Sequence, residues 1–250
     1  MKPAISFIVP AFNEEGHLQF TVEQTRRVLK SEVDDFEIMI INDGSTDKTV
    51  DIAEALAKSD SRIRVFHNDR NRGFGFTCRR GVKEATKEFV GWVSADTVWP
   101  EETLREAIAL LGKADIVTTY PLNQRERPVL RRFISSTFTA LMNSLFFLKV
   151  KYYNGGCFYR AALVKNLEIH SQGLTFWAEA LVRSLSKGYR MIEIGMRNID
   201  RTTGKSKAFK WKNILATLKM IINLAYDVHI RRQKNLPFPS PSPMARVESQ

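Results

Sequence analysis

The 250-residue chain lacks the marks of several large protein classes. Its only cysteines, Cys78 and Cys157, are far apart and outside any C-x-x-C pattern, which excludes a disulfide framework and argues against a structural zinc site. No apolar run reaches the roughly 18 residues of a membrane-spanning helix. The apolar run over residues 4–9 is too short for a signal peptide, so we expect a cytoplasmic protein.

What the chain does contain is an ordinary globular composition with a strong basic excess. Hydrophobic residues make up 44% and charged residues 26%, which excludes global disorder. The 38 Lys and Arg against 27 Asp and Glu give a net charge of +11. This charge predicts an anionic partner: a nucleotide, a lipid phosphate, a membrane surface or a nucleic acid. Because no groove-reading motif accompanies the charge, we do not expect nucleic acid.

Strand and helix patterns alternate along the first half of the chain. Strands are predicted over 5–9, 36–41, 63–66, 89–93 and 116–119, and helices over 15–29, 47–57, 74–87 and 101–111. Further helices are predicted over 127–148, 175–187 and 210–232, and strands over 157–159 and 191–194. This order predicts an α/β fold with a mostly parallel sheet and helices on both faces.

Polar loops follow three of the predicted strands, at residues 10–14, 42–45 and 94–96. Ligands of parallel sheets bind beyond the carboxyl ends of the strands. We therefore expect these loops to meet at one edge of the sheet.

The same loops carry motifs of a known family. V-P-A-F-N-E-E at 9–15, I-N-D-G-S-T-D at 41–47 and N-R-G-F-G at 71–75 resemble the opening of family 2 glycosyltransferases of the GT-A fold. G-Y-R-M-I-E-I at 188–194 and R-T-T-G-K-S-K at 201–207 are similar to the dolichol-phosphate mannosyltransferase branch. The resemblance covers about residues 4–210. It implies a GT-A fold and inverting transfer of a sugar from a GDP- or UDP-linked donor to a dolichyl or undecaprenyl phosphate.

The resemblance implies that the donor site is formed by the motifs at 9–15, 41–47 and 71–75 together with the motif at 201–207. The residues expected to bind the nucleotide sugar are Pro10, Ala11, Phe12, Asn13, Glu14, Asp43, Ser45, Gly73 and Lys205. Pro10 and Phe12 could flank the base, and Glu14 could accept a hydrogen bond from a ribose hydroxyl. Asp43 could accept one from the base or the ribose. The alternative is that residues 42–45 and 71–75 are plain turns, with Ser45 or Asp47 capping a helix.

A metal site is expected at residues 94–96, where the resemblance implies Asp-x-Asp. Asp96 would bind Mg²⁺ or Mn²⁺, which would bridge the donor phosphates. Ser94 replaces the first acid and is a weaker, neutral ligand, so we expect weak metal binding. The alternative role of Asp96 is to cap the helix that follows Pro100.

The implied reaction needs cations more than a general base. A phosphate monoester has a second pKa near 6, so it can attack the sugar as a dianion while alignment and charge neutralisation lower the barrier. The resemblance implies that Arg131 and Ser135, helped by Arg132, bind the acceptor phosphate. It also implies that a loop with Arg201, Lys205 and Lys207 closes over the donor diphosphate. The alternative is a solvated basic face, which is our interpretation of Arg125 and Arg127.

Four other residues receive structural interpretations. We interpret Glu179 as a core partner of an arginine or lysine rather than as a catalyst. Trp177, Tyr153 and Phe158 could line a sugar pocket, although aromatic residues at such spacing are usually core.

The predicted organisation has three parts: a transferase domain over 1–208, a basic amphipathic helix over 209–234 and a disordered Pro/Ser tail over 235–250. Residues 200–234 hold nine Lys or Arg against two Asp. The helix could lie on an anionic membrane or pack on the core, and the chemistry leaves both open. Alternatively, a membrane-protein partner could bring the enzyme to its lipid.

Two other functions stay open from the sequence. One is a family 2 transferase that uses a glycan or other hydroxyl acceptor, although no convincing general base stands out. The other is a non-catalytic member that only binds nucleotide sugar, which the serine at position 94 suggests.

Overall fold

The structure is a computed structural model, and it describes residues 2–96, 99–197 and 211–231. Of residues 211–213 only the backbone is described. The predicted tail over 235–250 and the segment with Arg201, Lys205 and Lys207 lie outside the described residues.

Seven strands form one sheet in the order β3-β2-β1-β4-β6-β5-β7. They are β1 (Ile5–Ala11), β2 (Phe36–Asn42), β3 (Ile63–His67), β4 (Phe89–Trp92), β5 (Ile116–Pro121), β6 (Cys157–Arg160) and β7 (Met191–Met196). All neighbours pair in parallel except β6, which is antiparallel to both β4 and β5. The mostly parallel sheet confirms the predicted fold class, and the sequence did not predict the reversed strand.

Eight α-helices are described: α1 (Leu18–Glu32), α2 (Thr49–Ser59), α3 (Phe74–Glu84), α4 (Glu101–Ala109), α5 (Val129–Phe146), α6 (Ala161–Lys165), α7 (Phe176–Ser186) and α8 (Trp211–Tyr226). Each predicted helix is present. Helix α1 begins at Leu18 rather than at 15, after a turn in which the His17 and Leu18 N–H groups both donate to the Glu14 carbonyl. Helix α6 was not predicted.

The core lies on both faces of the sheet. Strands β1 and β2 are buried at every position, which explains why they are mainly apolar; the exceptions are Ser6 in β1 and Glu37 and Asn42 in β2. Alternate side chains enter two clusters: Phe7 packs with residues of α1, α2 and α4, whereas Ile8 packs with residues of α3, α5, α7 and α8. The sheet is therefore covered on both sides, and its loops are left at the strand ends.

Helix α8 packs on this core through one face. Met220, Ile221 and Leu224 are buried. Beyond the helix, the Asp227 carboxylate lies 2.7 Å from the Arg183 guanidinium on α7. Packing on the core, one of the two predicted alternatives, is therefore present for this face. None of the helices in the described ranges is long and apolar enough to cross a membrane.

Candidate active site

The loops that follow β1 and β2 are bound to each other. The backbone N–H of Asn13 donates to Ser45 Oγ at 3.0 Å, and Asn13 Oδ1 accepts from the Thr46 N–H at 2.9 Å. Asn13 has φ of 54°, a left-handed conformation that asparagine tolerates better than most residues. Two of the predicted donor residues thus hold one another at the edge where the sequence predicts the loops to meet.

Glu14, in the same loop as Asn13, is bonded to the first residue of α2. Its backbone N–H donates to Thr49 Oγ1 at 2.8 Å, and its carboxylate lies 3.3 Å from His17 Nδ1. The side chain is partly exposed, so it can reach a ligand above the loops. Its predicted contact with a ribose stays a prediction.

Asp43 is the organising carboxylate of this edge. It is 4% exposed and accepts hydrogen bonds from Asn68 Nδ2 at 2.7 Å, the Arg72 N–H at 2.9 Å and the Gly73 N–H at 2.9 Å. The sequence suggested a contact with base or ribose, which stays a prediction. What the sequence did not show is that Asp43 fixes the backbone of the 71–75 loop.

Glycines allow the close contacts of that loop. Gly44 has φ of 70°, and a Cβ there would lie 2.5 Å from the Arg70 carbonyl carbon. A Cβ on Gly75 would lie 2.4 Å from the carbonyl carbon of Gln172. The Gly75 N–H already donates to the Gln172 carbonyl oxygen at 2.9 Å. One first-turn N–H of α3 is therefore occupied, which favours a packed turn at this position.

The predicted metal loop is bound to β1. The Ala95 N–H donates to the Pro10 carbonyl at 3.2 Å, and Thr21 Oγ1 donates to the Ala95 carbonyl at 2.8 Å. Asp96 thus lies beside the loop that follows β1. Helix α4 begins at Glu101 with Pro100 as its N-cap, so the alternative of Asp96 as its cap is wrong.

The residues at this loop can bind a divalent cation only if substrate and water supply further ligands. No group of three or more His, Cys, Asp or Glu within the described ranges could hold a metal ion. Asp96 and Ser94 supply one carboxylate and one hydroxyl. Mg²⁺ commonly binds through one or two carboxylates together with substrate phosphates and water. The donor set therefore fits a cation that arrives with a diphosphate.

A cleft of about 720 Å³ opens beyond the carboxyl end of β5. Its polar lining includes Arg125, Arg132, Ser136 and Lys151. The Lys151 Nζ lies 4.2 Å from the centre of the Tyr120 ring, a cation–π contact that places the ammonium at the cleft. The sequence indicated no role for Lys151 and suggested that Arg125 is part of a solvated surface. Nothing in the sequence around either residue marks the cleft.

Of the three predicted acceptor residues, Arg132 lines this cleft and Arg131 and Ser135 do not. Arg131 is exposed and Ser135 is half-buried on α5, whereas the cleft is lined by Arg132 and Ser136, each one position further on. Because neighbouring residues on a helix point about 100° apart, the two pairs face different directions. The predicted role of Arg131 and Ser135 stays a prediction.

One acidic side chain, that of Glu193 on β7, lies next to a residue that lines the cleft. The Glu193 carboxylate on β7 accepts a hydrogen bond from the Lys151 backbone N–H at 2.8 Å. Burial raises the pKa of Glu193 above its ordinary value, and this hydrogen bond and the Lys151 charge only partly offset that rise.

The other residues considered from the sequence lie in the core. Glu179 is 2% exposed and accepts bonds from the N–H groups of His170 and Ser171 and from Arg183 Nε, in agreement with its interpretation as a core partner. Trp177 stacks on Trp92 with ring centres 5.6 Å apart. Tyr153 and Phe158 are buried as well.

A seven-stranded, mostly parallel α/β sheet with polar loops at its carboxyl edge is typical of enzymes that bind their ligands at that edge. The sequence profile described as Glycosyl transferase family 2 matches residues 6–167, so the chain belongs to that family. The fold is similar to glucosyl-3-phosphoglycerate synthase from Mycobacterium tuberculosis, crystallised with Mn²⁺, UDP and phosphoglyceric acid. The TM-score is 0.67 at 16% identity, covering 90% of this chain and 78% of that one. This likeness shows the GT-A fold.

Curated relatives share the family but are longer. Glycosyltransferase AglD of Haloferax volcanii is 28% identical over 91% of this chain and 38% of its own length. Undecaprenyl-phosphate 4-deoxy-4-formamido-L-arabinose transferase of Edwardsiella ictaluri is 25% identical over 90% of this chain and 66% of its own length. Putative glycosyltransferase EpsH of Bacillus subtilis is 37% identical over 38% of this chain and 26% of its own length.

Proposed function

We propose that this family 2 glycosyltransferase moves a sugar from a GDP- or UDP-linked donor to a polyprenyl phosphate, with inversion, at a membrane surface. The observation that carries the proposal is an exposed apolar surface on two neighbouring helices beside a cationic cleft. The dolichol-phosphate mannosyltransferase-like branch seen in the sequence is part of this proposal.

The α5–α8 apolar surface comprises the exposed apolar residues of α5, α8 and the turns that follow them. Its members are Val129, Leu130, Phe133, Ile134, Leu141, Phe147, Ile214, Leu215, Leu218, Ile222, Tyr226 and Ile230. The segment that follows α8 contacts the end of α5, where the His229 ring stacks on Phe146 and His229 Nε2 lies 2.8 Å from the Leu145 carbonyl oxygen. A water-soluble surface rarely carries so much apolar area without a partner.

Basic side chains accompany this surface. Arg131 and Lys219 are exposed on α5 and α8, and Lys149 is exposed just after α5. Amphipathic helices with apolar side chains and basic margins lie in the headgroup region of anionic membranes. The surface therefore supports peripheral binding to a membrane. The sequence suggested such binding for the helix over 209–234 alone, and the proposal extends it to α5.

The cleft fits a phosphate joined to an apolar chain. Arg132 and Lys151 can neutralise a phosphate dianion, while Val129 and Phe133 of the α5–α8 apolar surface line the same cleft. A lipid phosphate whose chain lies along α5 would present its oxygen toward the donor edge of the sheet. Such a nucleophile needs no general base, so cations and alignment suffice.

On the donor side, Asp96 with Ser94 would hold a divalent cation that neutralises the leaving diphosphate. The loops fixed by Asn13 and Asp43 would position the nucleotide. The relatives support these assignments by their own chemistry: the Edwardsiella protein is named for undecaprenyl phosphate, and the Mycobacterium structure contains Mn²⁺ and UDP.

The test offers the purified protein a panel of labelled UDP- and GDP-sugars with polyprenyl phosphate in vesicles and Mg²⁺ or Mn²⁺. We expect label in the organic extract from one donor, and its loss in Asp96→Ala. Lys151→Met should raise the KM for the lipid phosphate about tenfold or more, the loss of one charge-assisted hydrogen bond. Lys113→Met removes an equivalent exposed charge at the opposite end of β5, outside both the cleft and the α5–α8 apolar surface, and is the matched control.

Other outcomes contradict the proposal in different ways. Donor-dependent release of nucleoside diphosphate with a glycan, but no lipid product, would show a hydroxyl acceptor instead. Nucleotide binding without transfer to any acceptor would show a binding protein. Equal effects of Lys151→Met and Lys113→Met would remove the cleft from the acceptor site while leaving the reaction itself intact.

A further inference from the structure

Side chains at the ends of β2 and β3 and one side chain on α2 form a hydrogen-bonded row that the proposed reaction does not use. Glu54 Oε1 on α2 lies 2.8 Å from His67 Nε2, and His67 Nδ1 lies 3.1 Å from Asn42 Nδ2. Asn42 is 2% exposed and pairs in register with His67. We call these three residues the Glu54–His67–Asn42 relay.

The chemistry of the three groups fixes their orientation. An amide NH₂ can only donate, so His67 Nδ1 must accept from Asn42. A neutral imidazole carries a single N–H, which therefore lies on Nε2 and donates to Glu54. The other end of the amide is also occupied, because Asn42 Oδ1 accepts from the Ser45 N–H at 3.1 Å. A rotated Asn42 amide would set its NH₂ against that N–H and its oxygen against a bare nitrogen.

The relay continues into the predicted donor site. Ser45, whose N–H is held by Asn42, accepts from the Asn13 N–H through its own Oγ. Asn13 Oδ1 in turn accepts from the Thr46 N–H. An unbroken series of hydrogen bonds thus runs from the outer helix α2 to the loop that follows β1.

We infer that His67 is a positioning residue for the donor nucleotide: held in its Nε2–H form by Glu54, it fixes the Asn42 amide and through it the Asn13–Ser45 contact. The inference rests on the nucleotide-sugar donor site proposed above. It does not depend on the acceptor. Neither the family motifs nor the sequence analysis gave His67 a role.

The first test is the proton position. A long-range ¹H–¹⁵N NMR spectrum of the full chain at a pH where His67 is neutral should show an unprotonated Nδ1 and a protonated Nε2. The opposite tautomer would overturn the inference, because Nδ1–H would face the Asn42 NH₂.

The second test is calorimetric titration with UDP and with GDP. His67→Phe keeps a ring but removes both polar contacts, and it should weaken binding of the nucleotide about three- to tenfold, the value of one hydrogen bond. In transfer assays it should raise the donor KM by the same factor and leave kcat within about twofold. Glu54→Gln, which can still accept from Nε2–H, should retain wild-type affinity, whereas Glu54→Ala should not. Asp51→Ala, which removes an exposed carboxylate from the same helix, is the matched control.

Each remaining outcome decides the matter. Unchanged affinity in His67→Phe, or an equal loss in Asp51→Ala, would overturn the positioning role. So would a loss that only follows the fraction of folded protein, since that indicates a purely structural contact. If wild-type protein binds neither nucleotide, the donor site itself is wrong and the role is lost with it. Failure of polyprenyl phosphate as acceptor would leave the titration unaffected.

Discussion

The two halves of the molecule present different surfaces. Residues 2–96 hold their loops with side-chain hydrogen bonds to backbone N–H groups, and Phe20 is their only exposed large hydrophobic residue within the described ranges. The described residues beyond 99 contain the other fifteen, twelve of them in the α5–α8 apolar surface. A polar, water-soluble nucleotide suits the first half, and a lipid suits the second. The comparison teaches that one sheet can support two surfaces with opposite solvent preferences.

The acidic residues of the two halves differ in how well their surroundings stabilise the carboxylate charge. Hydrogen bonds from Arg62 lower the pKa of Asp60 to about 2. Burial opposes the charge of Glu37, yet bonds from Ser6, Arg64 and Thr86 outweigh it and lower the pKa of Glu37. In the second half, burial raises the pKa of Glu193. The first half thus stabilises its carboxylate charges, and the second half leaves Glu193 poorly compensated.

Asp43→Ala should have the largest effect, because it breaks the polar network that distinguishes the first half. Three N–H donors would lose a buried acceptor, and each unsatisfied group costs about 1 to 3 kcal/mol. We expect the free energy of unfolding in urea to fall by about 3 kcal/mol or more. Asp69→Ala removes an exposed carboxylate nearby and serves as the control. Equal losses in the two variants would show that the network does not stabilise this half.

Phe147 offers a sharper test of the second half. It is 86% exposed and ends α5 with φ of 55°, a conformation that costs a bulky residue energy and that asparagine tolerates. Phe147→Asn relieves this backbone cost but also removes the edge contact of the Phe147 ring with the His229 ring, whose centres are 6.1 Å apart, so the free energy of unfolding should change by less than about 1 kcal/mol. The substitution should also weaken binding to anionic vesicles about tenfold, since a Phe side chain is lost from the lipid contact.

Phe20→Asn is the matched control for vesicle binding, since Phe20 is 61% exposed but lies in the first half. Its vesicle affinity should equal that of the wild type in a sedimentation assay. If the two variants bind vesicles alike, the α5–α8 apolar surface does not contact membrane, and the contrast between the halves has another cause.

The sequence predicted the first half better than the second for a physical reason. Apolar runs such as residues 38–41 identify buried strands, and parallel strands bring their carboxyl-end loops together. The contact of Asp43 with Gly73 joins residues 30 apart, so no local pattern shows it.

Helix α5 was harder because its apolar residues do not form one stripe. With several of them exposed, hydrophobic periodicity cannot fix which side of the helix faces the cleft. The sequence named Arg131 and Ser135 with Arg132 as a helper, and the structure was needed to show that Arg132 and Ser136 line the cleft. Lys151 reaches the cleft only through the packing of Tyr120, a contact across 31 residues that no local signal encodes.

The last prediction concerns the pH dependence of stability. The pKa of Asp60 is about 2 in the folded protein and near 3.8 otherwise, so its contribution to stability is complete above pH 4 and is lost as the pH falls toward 2. Asp60→Asn should therefore lower the free energy of unfolding by about 1 to 2 kcal/mol at pH 6 and have little effect near pH 2. Urea unfolding at both values measures the difference. Since Glu193 has a raised pKa, Glu193→Gln should not show this pattern, and a matching acid-dependent loss in that variant would contradict the contrast between the acids of the two halves.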